Sequence, residues 1–441
     1  MAHQRSKAEG AANRRAGIAS GWASSTLQSF QFSDYRLIWT GSLLAFTAFH
    51  MMITAQAVVA FDLTGDNRSV GAVLFGLGIA MLLLNPVGGA VTDRFSKRFL
   101  VLFTHVVIGA VALVTAVLLL FDALSVIYLA IGAFVLGSMF AFLGPTRTAL
   151  VGDVVANEHV GNAMALLQVA QNVARVGGPF LAGTFLAWSL IGAAGTFFFI
   201  AAIFIFVIAA FSRLPPSKPR QASSESNVLS DVRLGIRHIV ERPALLHTVT
   251  TFHLVTILGM VYMVLMPGFA KDVLGTGTAG IGVLFGVAAA GGLLLSLAVA
   301  SLADSPRASY FMSLSGLGLG ASLILLGFAP NFELAVLVMI LVGGATGAFH
   351  TLSNALAMRL TSIEFFGRVI GLVYLAWGLN ALMSLPYGLL ADVVGERAVL
   401  SGVGAVLSLV VVLLFFWSRR LESASASLAP RIERAPSVPS A

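Results

Sequence analysis

The 441-residue chain is 58% hydrophobic and only 10% charged, with a mean hydropathy of +0.94. So little polar surface cannot cover a soluble globule, and the composition places the chain in a membrane. Its formal charge of +7 is not gathered on a soluble basic face, which argues against nucleic acid, and the absence of cysteine excludes disulfides and thiolate chemistry.

Residues 1–33 are rich in Ala, Ser, Gly and Arg without an apolar core and are expected to form a disordered cytosolic tail rather than a cleaved signal. Apolar runs of about 18 to 25 residues then give roughly twelve expected spans, near 36–61, 70–92, 99–121, 124–146, 162–188, 192–212, 245–270, 278–302, 308–328, 333–357, 368–391 and 396–418. The fold class is therefore an all-α membrane protein. Arg36, Arg94, Lys97, Arg98, Arg213, Arg233, Arg237, Arg242, Arg307, Arg359, Arg368, Arg419 and Arg420 fall on one side, against Arg68, Lys271 and Arg397 on the other, so the basic side is expected to be cytoplasmic and to hold both termini.

Polar residues inside the spans are costly in hydrocarbon and mark function by default. Arg175 lies about 13 residues into the fifth span, which at ~1.5 Å per residue brings it to roughly mid-bilayer. Gln168, Asn172, Arg175 and Pro179 are spaced four, three and four, so they share one helix face, with Gln171 beside them. In span one Thr40, Thr47, His50 and Thr54 share a sector, and in span eleven Trp377, Asn380, Ser384 and Tyr387 do likewise. These faces predict a mixed polar and aromatic chamber at the midplane. Each has a plainer reading: threonines bond their own helix, a single histidine packs, and Arg175 serves as a structural tie. Arg147, after Pro145, is expected as a gate or loop tie.

Between spans six and seven, residues 214–244 open with Pro and Ser and end with Leu229, Val232, Ile236 and Ile239 at helical spacing, a linker with an interfacial amphipathic helix. It divides a bundle at 34–213 from one at 245–420, with a disordered tail expected over 421–441. The two bundles share a repeat. FDLTGDNRSVGAVLFG matches AKDVLGTGTAGIGVLFG with Asp62 on Asp272 and Gly65 on Gly275, an offset of 210; TALVGDVVANEHVGNAMAL matches NALAMRLTSIEFFGRVIGL with Gly161 on Gly367, an offset of 206.

This layout, with GAVTDRFSKR at Gly89–Arg98 and GGPFLAG at Gly177–Gly183, resembles the major facilitator superfamily. The first motif is similar to the family's loop between spans two and three, with Ser96 where a second glycine usually stands. The resemblance implies that Asp93, Arg94 and Arg98 form a latch holding the outward-facing state; the plainer reading is topology alone. The second motif resembles one carried in span five by the family's antiporting exporters, which makes Gly177, Gly178, Pro179 and Gly183 a kinked, closely packed hinge. FSDYRLIWTGSLL, LGPTRTALVGD and LGIRHIVERPAL resemble the transmembrane secretion effector branch, which includes enterobactin and macrolide exporters.

No phosphate loop, HExxH or GxSxG occurs, so the chain is not expected to be an enzyme and no cofactor or metal is implied. The expected function is export of small amphipathic molecules across the cell membrane by alternating access, as a monomer in the lipid bilayer, in exchange for protons carried by Asp62 or His50. An uncoupled facilitator, an importer of the same fold and a non-transporting sensor remain as alternatives. No carboxylate stands well inside any span, which makes coupling the weakest element.

Overall fold

A computed structural model describes residues 28–215 and 228–432. Most of the expected N-terminal tail (1–27), the middle of the linker (216–227) and the last residues (433–441) lie outside them. The first half comprises α1 (Ser33–Thr64), α2 (Asn67–Arg94), α3 (Lys97–Leu120), α4 (Val126–Val154), α5 (Val160–Ala187) and α6 (Gly192–Ser212). The linker ends in α7 (Val228–Val240). The second half comprises α8 (Pro243–Gly259), α9 (Val261–Gly268), α10 (Gly277–Ala300), α11 (Ala308–Gly327), α12 (Phe332–Leu360), α13 (Phe366–Val394) and α14 (Glu396–Ile432). The backbone of α14 stays helical to Ile432, into the stretch read from the sequence as a tail.

Among the described residues, eleven helical runs are long and apolar enough to cross a membrane, with α8, α9 and the π turn Phe269–Val273 counting as one. The expected twelfth is α5. Its 28 residues are ample for a crossing, but the face carrying Gln168, Gln171, Asn172 and Arg175 takes it out of the apolar class.

The repeat is visible in local structure. Gly65 and Gly275, paired by the sequence match, both adopt left-handed backbone, φ 73° and 65°, which a side chain would strain. Helices α4 and α12 start with equivalent side-chain caps: Ser125 accepts from the Tyr128 amide and Asn331 from the Leu334 amide, again 206 residues apart. Ser96, which replaces the motif's glycine, caps α3 by accepting from the Phe99 amide at 3.3 Å, and its φ of −62° asks for no glycine.

Helix packing repeats in the same way. Within the first half α2 packs on α4, α1 on α5 and α6, and α3 on α6; within the second, α10 packs on α12, α8 on α13 and α14, and α11 on α14. Between the halves the main contacts are α2 with α13 and α5 with α10, a pair that a twofold axis would exchange. Leu113 and Val114 of α3, Ile205 and Phe206 of α6, Leu314 of α11 and Leu409 and Leu413 of α14 are exposed apolar side chains, as lipid-facing helices require.

The halves close on each other at the end opposite the termini. There Ala57, Val58 and Phe61 of α1 and Val70 and Leu74 of α2 belong to the buried core of the second half. On the termini side, α7 docks on α13: Gly235 meets Leu372 and Arg368, His238 stacks on Phe365 at 4.0 Å, and Ile239 is buried. The predicted apolar stripe is thus divided, with Ile239 against protein and Ile236 exposed; the Leu229 side chain lies outside those described.

Candidate substrate site and gates

Helix α5 runs unbroken through Pro179, and its small residues set how closely its neighbours approach. A Cβ at Gly178 would lie 2.6 Å from the His50 Cβ of α1 and 3.0 Å from the Thr47 carbonyl oxygen. On another side Gly183 meets Gly282 of α10 backbone to backbone. Beyond that contact α5 and α10 part into an apolar groove of about 250 Å³ lined by Val176, Gly177, Phe180, Val283, Gly286 and Val287. Gly177 faces open space.

Arg175 projects from this helix towards the other half. Its Cζ lies 5.7 Å from the ring centroid of Trp377 on α13, a cation–π approach between two spans that the sequence pointed out independently. His50, His350 of α12, Tyr262 of α9 and Tyr374 of α13 all lie within its electrostatic reach. His350 stands 5.2 Å from Trp377 on the side of α12, so the indole is shared by the guanidinium and the imidazole. Among the described residues Arg175 has no hydrogen-bond or ion-pair partner.

Other candidates are placed differently. Gln168 is exposed and donates to Asn172 at 3.3 Å along the same face; Gln171 and Asn380 are half-buried. Thr40 and Thr47 spend their hydroxyls on the carbonyls of Arg36 and Leu43, the plainer reading. Tyr387 is buried within the second half and donates to the Ile257 carbonyl at 3.2 Å. That carbonyl is freed because α8 stops at Gly259 and α9 restarts at Val261. Tyr387 is therefore a tie across a broken helix and not a chamber residue.

Asp62 does not face the chamber either. It pairs with Lys271 at the closed end, joining the halves. Beside it, Asp392 of α13 accepts from the backbone amides of Asn67 and Arg68, and Glu396 accepts from the Asn67 side chain at 2.7 Å.

In the loop motif, the Asp93 side chain lies outside those described. Arg94 is exposed, and Arg98 donates to the Ser212 carbonyl. An ion pair of this region joins Lys97 to Asp153 at 2.7 Å, inside the first half. In the second half Arg359, at the end of α12, approaches the carbonyls of Ala303 and Ser305 at 3.5 Å, so a base on the helix takes the place of the acid Asp153. Arg147 is 6% exposed, lies over the Phe46 ring at 4.1 Å and has a buried Nε without a partner. It stands inside the first half, not at the boundary where a gate would act.

Sequence reasoning missed His350, Tyr262 and Thr256. His350 stands alone in an apolar span, and the residue 206 positions before it is Gly144, so the repeat offers no cue. Arg175 has no twin either: its counterpart is Ala381, which packs on Gly78.

A model of the Major Facilitator Superfamily matches residues 38–384. The chain belongs to that superfamily. It is 21% identical over 388 residues to the uncharacterized MFS-type transporter YfiS of Bacillus subtilis (strain 168), covering 84% of this chain and 90% of that protein. It is 23% identical over 368 residues to the staphyloferrin A transporter of Staphylococcus aureus (strain NCTC 8325 / PS 47), covering 82% and 91%. Among solved structures, a mutant of the nucleoside transporter NupG aligns with TM-score 0.70 at 15% identity over 87% of this chain and 100% of that one. A bacterial homolog of the lysosomal transporter Spinster, inward-facing and unoccupied, aligns with TM-score 0.69 at 13% identity over 88% and 97%. This member of the superfamily is thus a multi-pass membrane transporter and not an enzyme.

Proposed function

We propose that this transporter exports small amphipathic molecules by alternating access, with the site between the halves at Arg175 and Trp377. The observation that carries the reading is the placement of one unpaired guanidinium between two bundles that repeat each other's packing and meet through α2–α13 and α5–α10. Rocking about those two seams would expose the site to either side in turn. The described state is closed opposite the termini, and we take the termini side as cytoplasmic from its arginine and lysine excess. The export direction rests on the GGPFLAG motif of α5, and a siderophore-like cargo on the distant likeness to a staphyloferrin A transporter.

Exchange against protons requires a titratable group at the site, and His50 beside Gly178 and His350 beside Trp377 are the candidates. A second reading, movement down the substrate's own gradient without protons, is favoured by one observation. Within the described membrane-crossing segments, the last of which ends at Arg420, every carboxylate stands near a segment end.

The test is transport by the full chain in proteoliposomes loaded with a panel of amphipathic solutes, under an imposed pH difference. Export coupled to protons predicts efflux that follows the pH difference. Efflux indifferent to it selects the uncoupled reading, and accumulation in intact cells that is lost on deletion overturns export.

A further inference from the structure

We propose that Arg175, Trp377 and His350 form a recognition subsite for an organic oxyanion, a carboxylate or phenolate, so that the molecule carried is an amphipathic anion. The proposal rests on reading the space between the halves as the transport route.

Three independent observations lead there. The first is the charge inventory. Asp34, Asp62, Asp93, Asp153, Asp272, Glu333, Asp392 and Glu396 all lie in the first or last turns of the described spans, whereas Arg175 lies in the middle of α5. A cation entering the chamber meets a like charge and no carboxylate. An anion meets the opposite charge in a setting of low dielectric, where such a pairing is strongest.

The second is the state of the guanidinium itself. Its forked donors suit a carboxylate bidentately, yet among the described residues they take no acceptor, and the charge is met only by the face of Trp377. The residue is half-buried, so its charge is partly withdrawn from water without gaining an acceptor, and a ligand that brings one offsets that loss.

The third is an orphaned atom beside the same indole. His350 is 8% exposed, its Nε2 lies 3.2 Å from the Thr256 Oγ1, and its Nδ1 is buried with no partner. If the Thr256 hydroxyl donates to Nε2, Nδ1 carries the proton and becomes a second donor. On the same face of α12, Thr346 and Ser353 also hold buried hydroxyls without partners. The second half therefore holds unused hydrogen-bonding groups beside the half-buried Trp377, with Phe252 packed in the core 5.3 Å from His350. An acidic head with an apolar or aromatic body fits that combination.

One consequence concerns the cycle. Closing both ends around an empty site would dehydrate Arg175 without compensation, while closing around an anion would not. Anion occupancy should therefore favour the passage between states, and exchange should outrun net flux.

The experiment uses the purified full chain in lipid nanodiscs with three probes of one skeleton: 4-phenylbutyrate, 4-phenylbutyramide and 4-phenylbutylamine. Binding is read from the Trp377 emission, taken as the difference between the wild type and Trp377→Phe. The expected result is a saturable response to the carboxylate alone, weakened at least tenfold in Arg175→Gln, partly kept in Arg175→Lys and weakened several-fold in His350→Phe. Equal binding of the amine or the amide, or undiminished carboxylate binding in Arg175→Gln, overturns the subsite. Should Arg175→Gln fail to fold, the charge series on the wild type and the Arg175→Lys protein still decide. Counterflow in proteoliposomes separates the two readings. Charge-selective binding with no movement of any probe sinks the transport route and leaves the subsite, whereas movement of the amine unaffected by Arg175→Lys sinks the subsite and leaves the transporter.

Discussion

Asp392, near the end of α13, caps the N-terminus of α2 from the opposite half: its two carboxylate oxygens accept from the backbone amides of Asn67 at 2.8 Å and Arg68 at 3.0 Å. Helix α2 has no side-chain cap of its own, because Asp66, at the capping position, is held by the Arg68 guanidinium at 2.6 Å. The amides at a helix start are unpaired donors with a partial positive charge, so a carboxylate there serves as both hydrogen-bond acceptor and counter-charge.

Because this cap crosses between the halves, it stabilises only the conformation closed at that end. A cap is worth about 1 kcal/mol, and the charge at the helix start adds up to ~1 kcal/mol more, together on the order of a tenfold shift between two states. Asp392→Ala should lengthen the distance between spin labels at positions 63 and 393, both exposed at that end, and raise the population open there. An unchanged distance distribution would show that the cap does not hold the closure.

The other seam has no such cap and relies on glycine. A Cβ at Gly282 would lie 2.9 Å from the Gly183 Cα, closer than real side chains come. Gly282→Ala should push α5 and α10 apart at the closed end and slow transport several-fold without preventing membrane insertion. Gly177→Ala, where a Cβ meets nothing within 4 Å, is the control and should leave transport near the wild-type rate. Similar rates for the two proteins would rule out the close approach as a requirement.

Tyr387→Phe tests the broken helix. Removing the hydroxyl leaves the Ile257 carbonyl without its donor inside the second half, a loss of about 1–3 kcal/mol for a buried polar group. A lowered melting temperature in detergent is expected, with anion binding at Arg175 retained. Loss of binding with stability intact would place Tyr387 in the chamber after all.

The linker helix should respond to acid. His238 of α7 is held below the usual histidine range by desolvation first and by the Arg242 charge second, with Glu241 opposing. A depressed value means that the docked form prefers neutral imidazole. Docking is then complete above the unperturbed value of ~6.5 and weakens as the pH falls through it. Amide exchange in α7 should accelerate on acidification, and His238→Phe, which keeps the stack on Phe365, should abolish that dependence. A pH-independent exchange rate in the unmodified protein would contradict the assignment.

Much of the architecture was legible because hydrocarbon imposes a simple rule, that every backbone group be bonded within its own segment. The offsets of 210 and 206 announced two similar bundles, and the caps at Ser125 and Asn331 and the left-handed turns at Gly65 and Gly275 carry that repeat into the backbone. Arg175 and Trp377 were legible for a related reason: a cation and an indole stand out on the polar faces of two membrane helices. Tyr387 and Asp62 showed the limit of the method. Helical spacing gives the face of a side chain but not the neighbour across from it, so a chamber residue and a tie to a freed carbonyl look alike.

The sequence by itself determined the membrane, the duplicated helices, the family motifs and the isolated charge in the fifth span, because each follows from local hydropathy, spacing or backbone conformation. Only the tertiary structure decided which end is closed, that Asp392 caps α2 in trans, and that His350 and Arg175 both stand beside Trp377. Those relations link residues from different helices, often hundreds of positions apart, and three-dimensional packing brings them together where no local pattern records them.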